Sequence, residues 1–243
     1  MTAGATFLLD GREVAFADGE TVMEAALGAG LYIPHLCWHP DFPPHGSCKL
    51  CTVSVNGKHA AACSTRAAAG MDVKNETPEL ADMRRALVQM LFVEGNHTCP
   101  ACEKSGACEL QAVAYHVGMT TPHFEHFFPD RELDASHPDV FLDRNRCILC
   151  ELCVRASRDI DGKRVFAING RGIDSRLVVN SPSGRLADSA LEATDAAVAV
   201  CPVGAILPKG RAWETPIGER RYDRAPIAEV SVRDYAQRRR RHG

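Results

Sequence analysis

Eleven cysteines in a chain of 243 residues constrain this fold more than any other feature, because they fall into three tight groups and leave no stray. The first group is Cys37-x10-Cys48-x2-Cys51-x11-Cys63, the second is Cys99-x2-Cys102-x5-Cys108 with His97 two positions ahead, and the third is Cys147-x2-Cys150-x2-Cys153 with a distant Cys201-Pro202. A disulfide framework would strand one thiol of an odd set. The stretch Met1 to Val14 carries Asp10, Arg12 and Glu13 and has no basic segment followed by an apolar core, so a secretory signal is not expected. A cytoplasmic location follows, where disulfides do not persist and metal is the main use for so many thiols.

Each group matches the way thiolates hold iron–sulfur clusters. In the first, a Cys-x2-Cys pair in a glycine-containing loop lets two sulfurs reach one cluster while backbone N–H groups face the sulfides, which predicts a [2Fe–2S] cluster on Cys37, Cys48, Cys51 and Cys63. Gly46 is read as a place where a side chain would crowd that cluster. A structural zinc site is the alternative, but zinc usually takes two short Cys-x2-Cys knuckles and this group has one.

The third group is the most specific, since a Cys-x2-Cys-x2-Cys turn wraps three corners of a [4Fe–4S] cubane and a remote Cys-Pro supplies the fourth. With no sister triad of the same type, Cys201 closes the cluster of Cys147, Cys150 and Cys153. In the second group Cys99, Cys102 and Cys108 cover three irons of another [4Fe–4S] cluster. His97 is the best-placed candidate for the fourth, a helix-terminus hydrogen bond being its other use. Four, three and four cysteines then account for all eleven.

The surrounding sequence reads as α+β. Asp10-Gly11 and Asn56-Gly57 mark hairpins over Thr6–Phe16 and from Thr52, since both dipeptides accept the positive φ angles of tight turns. A short helix is predicted over Thr21–Leu27 and a cysteine-bearing loop over Ile33–Cys51. Thr77 and Pro78 open a longer helix, with Leu80, Met83, Leu87 and Met90 or Leu91 as its core face and Asp82, Arg84, Arg85 and Gln89 on the other. Further helices are predicted over Ala107–His116 and Leu191–Val200, and strands over Val165–Ile168 and Leu177–Val179, with irregular chain over Thr121–Pro138.

The expected organisation is an N-terminal β-grasp [2Fe–2S] ferredoxin-like domain at 1–78, a helical segment with the one-histidine, three-cysteine site at 79–120, a ferredoxin-like [4Fe–4S] domain at 140–210, and a basic C-terminal tail at 211–243. The run Arg238–Arg241 is read as a solvated or partner-docking tail. No aromatic platform accompanies it and the formal charge is only −3, so nucleic acid is not an expected partner. No apolar run approaches the roughly 20 residues of a membrane span. No P-loop or dinucleotide glycine motif is present, and no catalytic residue is assigned.

With these residues in view, the chain resembles the small iron–sulfur subunit of the diaphorase part of cytoplasmic NAD-reducing [NiFe] hydrogenases. The resemblance rests on Tyr32-Ile33-Pro34 before Cys37, on Glu94-Gly95-Asn96-His97-x-Cys99-Pro100-x-Cys102-Glu103-Lys104-Ser105-Gly106-x-Cys108, on Arg146-Cys147-Ile148-x-Cys150 and on Cys201-Pro202-Val203-Gly204. Similar modules form the N-terminal part of the complex I large iron–sulfur subunit and of some formate dehydrogenases and [FeFe] hydrogenases. The complex I and [FeFe] relatives usually place the histidine four positions before the first cysteine. They also continue into a large further domain, whereas this sequence ends at Gly243.

The resemblance implies a non-catalytic electron-transfer subunit of an NAD-reducing hydrogenase (hydrogen dehydrogenase) complex, with His97 as an iron ligand. Clusters move single electrons and NADH chemistry moves two, so a flavin must convert between them. FMN and NAD are then expected on a flavoprotein diaphorase partner, and hydrogenase small and large subunits at the other end. An NAD-dependent formate dehydrogenase or a complex-I-like assembly is the alternative setting. A zinc-stabilised interaction module is the alternative from another class.

Overall fold

The computed structural model describes residues 5–242 of the chain. The described residues divide into two compact units, one drawn from the chain up to Val88 with Val113–Thr120 and Ala225 onward, the other from Gln89–Ala112 and Thr121–Arg224.

In the first unit, strands β1 (Thr6–Leu9), β2 (Arg12–Ala15), β3 (Thr52–Val55), β4 (Lys58–Ala61) and β5 (Asp72–Lys74) form one sheet in the order β2-β1-β5-β3-β4. Both expected hairpins are present. Asp10 and Gly11 take φ of 48° and 81°, and Asn56 and Gly57 take 49° and 82°, the double left-handed turn that matches strand twist. β5 pairs parallel with β1 and antiparallel with β3, joining the two hairpins into a mixed sheet.

Helix α1 (Val22–Gly28) opens with a capping box, in which the Thr21 hydroxyl accepts from the Glu24 N–H at 3.2 Å and the Glu24 carboxylate accepts from the Thr21 N–H at 2.7 Å. Its Val22, Met23, Ala26 and Leu27 join Phe7, Leu9, Val53 and Val73 in the core. A sheet closed on one helix is the β-grasp plan. Cys37, Cys48 and Cys51 lie in the α1–β3 connection and Cys63 follows β4, so the sheet edge and the loop present all four together.

Helix α2 (Pro78–Val93) begins where expected, with the Thr77 hydroxyl accepting from the Leu80 N–H at 3.2 Å. Its buried face differs from the expected one. Leu80, Arg84 and Val88 are buried, whereas Met83 and Leu87 are half-buried and Met90 is exposed. Those three positions share one i, i+4 row, with a cation in its middle, and Val93 is buried at the end of the helix.

The basic end of the chain also departs from expectation. Ile227–His242 forms helix α6, with Ile227 and Val230 buried and Val232 and Tyr235 packed against the first unit's core. Arg238 pairs with Asp41 at 2.6 Å and Arg239 with Glu20 at 3.1 Å. Val232 and Tyr235 seat the helix on its own domain, and the two arginines pair with acids at the surface.

In the second unit, helix α3 (Glu109–His116) contributes its first turn, and β6 (Leu133–Asp134), β7 (Val140–Asp143) and β10 (Ile206–Pro208) form a sheet in the order β10-β7-β6. Helix α4 (Leu152–Asp159), the antiparallel pair β8 (Phe166–Asn169) and β9 (Arg176–Val179), and helix α5 (Ala196–Ala199) complete it. The helix expected over Leu191–Val200 is reduced to the single turn α5, because Asp195 spends its carboxylate on the Glu192 N–H and on Lys163. Asp161 caps α5 instead, accepting from Ala196 N at 2.9 Å and Ala197 N at 3.0 Å.

Candidate metal centres

No disulfide joins any of the eleven cysteines. In the first unit, Cys48 N donates to Cys37 Sγ at 3.5 Å. A hydrogen bond with Cys48 pulls the Cys37 thiol down to about 4, while Cys48 and Cys51 are pushed up by hydrogen bonds to neighbouring thiols and by burial. The Cys37 sulfur acts electrostatically on Cys48, Cys51 and Cys63, and Cys51 and Cys63 are hydrogen-bonded, so the structure gathers the four thiols. Lys49 sits at φ 57° between the paired cysteines and Gly46 at φ 70° just before them. A Cβ at Gly46 would meet no protein atom, so the structure accounts for that glycine by its backbone and not by crowding from the protein.

In the second unit, Cys99 and Cys102 flank a 3-10 turn, and Cys108 immediately precedes α3. Burial pushes the Cys108 thiol up to about 12, with Cys102 and Cys99 adding to the effect. The His97 ring lies on the same connection. Its Nε2 is buried and has no hydrogen-bond partner among the described residues, and burial, with Arg146 and His126 nearby, lowers its pKa to about 4. It is a neutral imidazole with a free nitrogen, the form that ligates metal. The ring fits because residue 95 is glycine. A Cβ there would lie 2.6 Å from His97 Nε2 and 2.8 Å from the Asn145 carbonyl oxygen.

Cys147 and Cys150 precede α4, Cys153 stands in its first turn, and Cys201 directly follows α5. All four line one pocket together with Leu149 and Pro202. The turn that carries the triad places Leu149 at φ 52° and Glu151 at φ 59°. Two bulky residues in the left-handed region are each disfavoured by about 1 kcal/mol or more. The Leu149 N–H hydrogen-bonds to the Cys147 sulfur, the kind of backbone contact that a sulfur-bound cluster uses. Burial pushes the Cys147 thiol up to about 11, with Cys201 adding to it, and Cys153 is raised as well.

Neighbouring thiols and burial push Cys48, Cys51, Cys99, Cys108, Cys147 and Cys153 up, whereas Cys37 and Cys63 are lowered by hydrogen bonds from neighbouring thiols. Clusters of thiols that share protons in this way suit coordination, in which a metal supplies the positive charge. Among the described residues, no three His, Cys, Asp or Glu side chains converge on a point that would hold a single metal ion. Four thiolates at the first and third groups, and three with an imidazole beside them at the second, are the soft donors that iron–sulfur clusters take.

Two features of the second unit escape spacing analysis. Arg146 donates from Nη1 to Cys102 Sγ at 3.6 Å and pairs with Glu103 at 2.7 Å and Asp143 at 2.8 Å. Gly204 packs on the same sulfur, since a Cβ there would stand 2.8 Å from Cys102 Sγ. The only hint in the sequence was that both stand beside cysteine motifs.

Each cysteine group lies inside a region that matches a known iron–sulfur family. Residues 3–78 match a 2Fe-2S iron-sulfur cluster binding domain, residues 84–123 the NADH-ubiquinone oxidoreductase-G iron-sulfur binding region, and residues 140–207 a 4Fe-4S single cluster domain. The chain is 44% identical over 216 residues to the gamma subunit of the NAD-reducing hydrogenase HoxS of Cupriavidus necator, covering 88% of this chain and 92% of that protein. It is 30% identical over 230 residues to an NADH-quinone oxidoreductase component of Rickettsia prowazekii, but spans only 33% of it. It spans 25% of the alpha subunit of the NADPH-Fe(3+) oxidoreductase of Geobacter sulfurreducens, at 29% identity. A chain in the crystal structure of an NAD+-reducing [NiFe]-hydrogenase in the H2-reduced state superposes with a TM-score of 0.92 at 55% identity, covering 96% of this chain and 99% of that one. The chain belongs to the family of NAD-reducing hydrogenase gamma subunits.

Proposed function

We propose that the chain passes single electrons through one [2Fe–2S] cluster on Cys37, Cys48, Cys51 and Cys63 and two [4Fe–4S] clusters, one on His97, Cys99, Cys102 and Cys108 and one on Cys147, Cys150, Cys153 and Cys201. It links a flavoprotein subunit that holds FMN and handles NAD(H) to the small and large subunits of a [NiFe] hydrogenase, in the cytoplasm. An iron–sulfur cluster supplies a one-electron couple when bound. The chain's own residues gather the thiolates, supply the Leu149 N–H to the Cys147 sulfur, and offer the buried Nε2 of His97.

The observation that carries this reading is the sorting of all eleven cysteines into three sites that coincide with three iron–sulfur family matches. The described residues include no helix long and apolar enough to cross a membrane. Replacing Cys201→Ala is expected to remove one [4Fe–4S] EPR signal and leave the [2Fe–2S] signal intact. Loss of every cluster at once would contradict separate sites. Replacing His97→Cys is expected to keep the second cluster and lower its potential, and an unchanged potential would remove His97 from the ligand set.

A further inference from the structure

Arg84 lies in the second turn of α2 and is buried, with 5% of its surface exposed. Its guanidinium is held entirely by neutral acceptors. Nε donates to the Leu50 carbonyl at 3.0 Å and Nη2 to the Thr52 carbonyl at 2.8 Å, the two carbonyls on either side of Cys51. Nη1 donates to the Asn75 carbonyl at 2.8 Å and Nη2 to the Asn75 side-chain oxygen at 2.7 Å. Asn75 is fixed in turn, because its backbone N–H donates to the Asp10 carboxylate at 2.8 Å in the first hairpin turn.

Among the described residues no carboxylate forms an ion pair with Arg84; Asp10 and Glu76 act on it only at a distance. Burial lowers its pKa, and of the charges that oppose this the Cys51 sulfur acts most strongly. A guanidinium does not give up its proton in a protein, and an unpaired buried cation costs several kcal/mol. Four carbonyl or amide oxygens satisfy its hydrogen bonds but not its charge. The missing negative charge is next door, on Cys51, once the thiols become thiolates.

We propose that Arg84 is the built-in counter-ion of the first cluster site: it clamps the backbone on both sides of Cys51 and holds up the reduction potential of the cluster bound there. This rests on the reading that Cys37, Cys48, Cys51 and Cys63 hold a [2Fe–2S] cluster. Four thiolates and two sulfides make that cluster an anion, and taking up one electron makes it more negative with no bond broken and no proton required. A fixed cation in a low-dielectric interior stabilises the more negative state and so favours reduction. The fork geometry explains arginine over lysine, since only a planar guanidinium reaches Leu50, Thr52 and Asn75 at once.

The test is an EPR-monitored redox titration of the anaerobically purified full chain carrying Arg84→Met, Arg84→Gln or Arg84→Lys. The neutral variants are expected to shift the [2Fe–2S] reduction equilibrium at least tenfold toward the oxidised form, about 59 mV for a one-electron couple. Arg84→Lys is expected to keep most of the potential, and the [4Fe–4S] signals should not move in any variant. If Met and Gln prevent the two-iron signal from forming while Lys permits it, the charge requirement is upheld. A [2Fe–2S] signal present in Met or Gln at an unshifted potential overturns the counter-ion role while leaving the cluster assignment standing. Loss of the two-iron signal in Lys as well as in Met and Gln overturns it too, since shape and not charge would then decide. Absence of a [2Fe–2S] signal in the unmodified chain would instead refute the cluster assignment itself.

Discussion

Arg146 Nη1 stands 3.6 Å from Cys102 Sγ, so a cation from the residue before Cys147 donates to a sulfur of a different cysteine group. Ion pairs to Glu103 and Asp143 fix the side chain, and its own charge reinforces theirs. A donor on a ligand sulfur draws electron density from the metal and raises the potential. Arg146→Met is expected to lower the potential of the cluster held by Cys99, Cys102 and Cys108 by some tens of mV. A redox titration followed by EPR checks this, with the other two signals as internal references.

Gly95 is expected to tolerate no side chain. A Cβ would press on His97 Nε2 and on the Asn145 carbonyl, which already accepts from Asn96 N at 2.8 Å and is anchored backbone. Overpacking of this kind costs about 1–3 kcal/mol. Gly95→Ala should therefore displace the imidazole and alter the EPR line shape of one [4Fe–4S] cluster, with the [2Fe–2S] signal unchanged.

Helix α6 is expected to stabilise the N-terminal fold although it lies at the other end of the chain. Ile227 of this helix is buried, and truncating a buried isoleucine to alanine costs about 2–5 kcal/mol. The Tyr235 ring lies 6.0 Å from that of Trp38, tilted by 50°, beside Cys37, and Arg238 pairs with Asp41 in the same loop. Ile227→Ala should speed amide exchange in α1 and shorten the lifetime of the [2Fe–2S] absorbance in air. Unchanged exchange would mean that α6 merely rests on the surface.

Much of this was legible from the sequence. The Asp-Gly and Asn-Gly turns and the Thr77 cap act over a few residues, and local patterns report them faithfully. Arg84 was not legible, because periodicity scores a cation as solvent-facing, whereas here backbone carbonyls 32 and 34 residues away in sequence satisfy it. The C-terminal helix was misread for a related reason. Its run of arginines hides Ile227, Val230 and Tyr235, and only the distant acids Glu20 and Asp41 reveal why a basic helix folds back. The alanine-rich segment before Cys201 lost most of its expected helix to Asp195 and Lys163, a tertiary ion pair that propensity does not register.

Asp161 supplies a further check on the third site. Its carboxylate takes both first N–H groups of α5, the turn that delivers Cys201, and loss of such a cap costs about 0.5–2 kcal/mol. Asp161→Ala should leave all clusters assembled but make one [4Fe–4S] cluster the first to be lost on mild oxidation, as followed by EPR. Equal loss of all signals would separate α5 from that site.

The central claim is a three-cluster electron relay, and iron and acid-labile sulfide per chain in the anaerobically purified protein test it most directly. One two-iron and two four-iron clusters predict about ten irons and ten sulfides, with three distinguishable EPR signals on stepwise reduction. Roughly six irons, or bound zinc without labile sulfide, would contradict it.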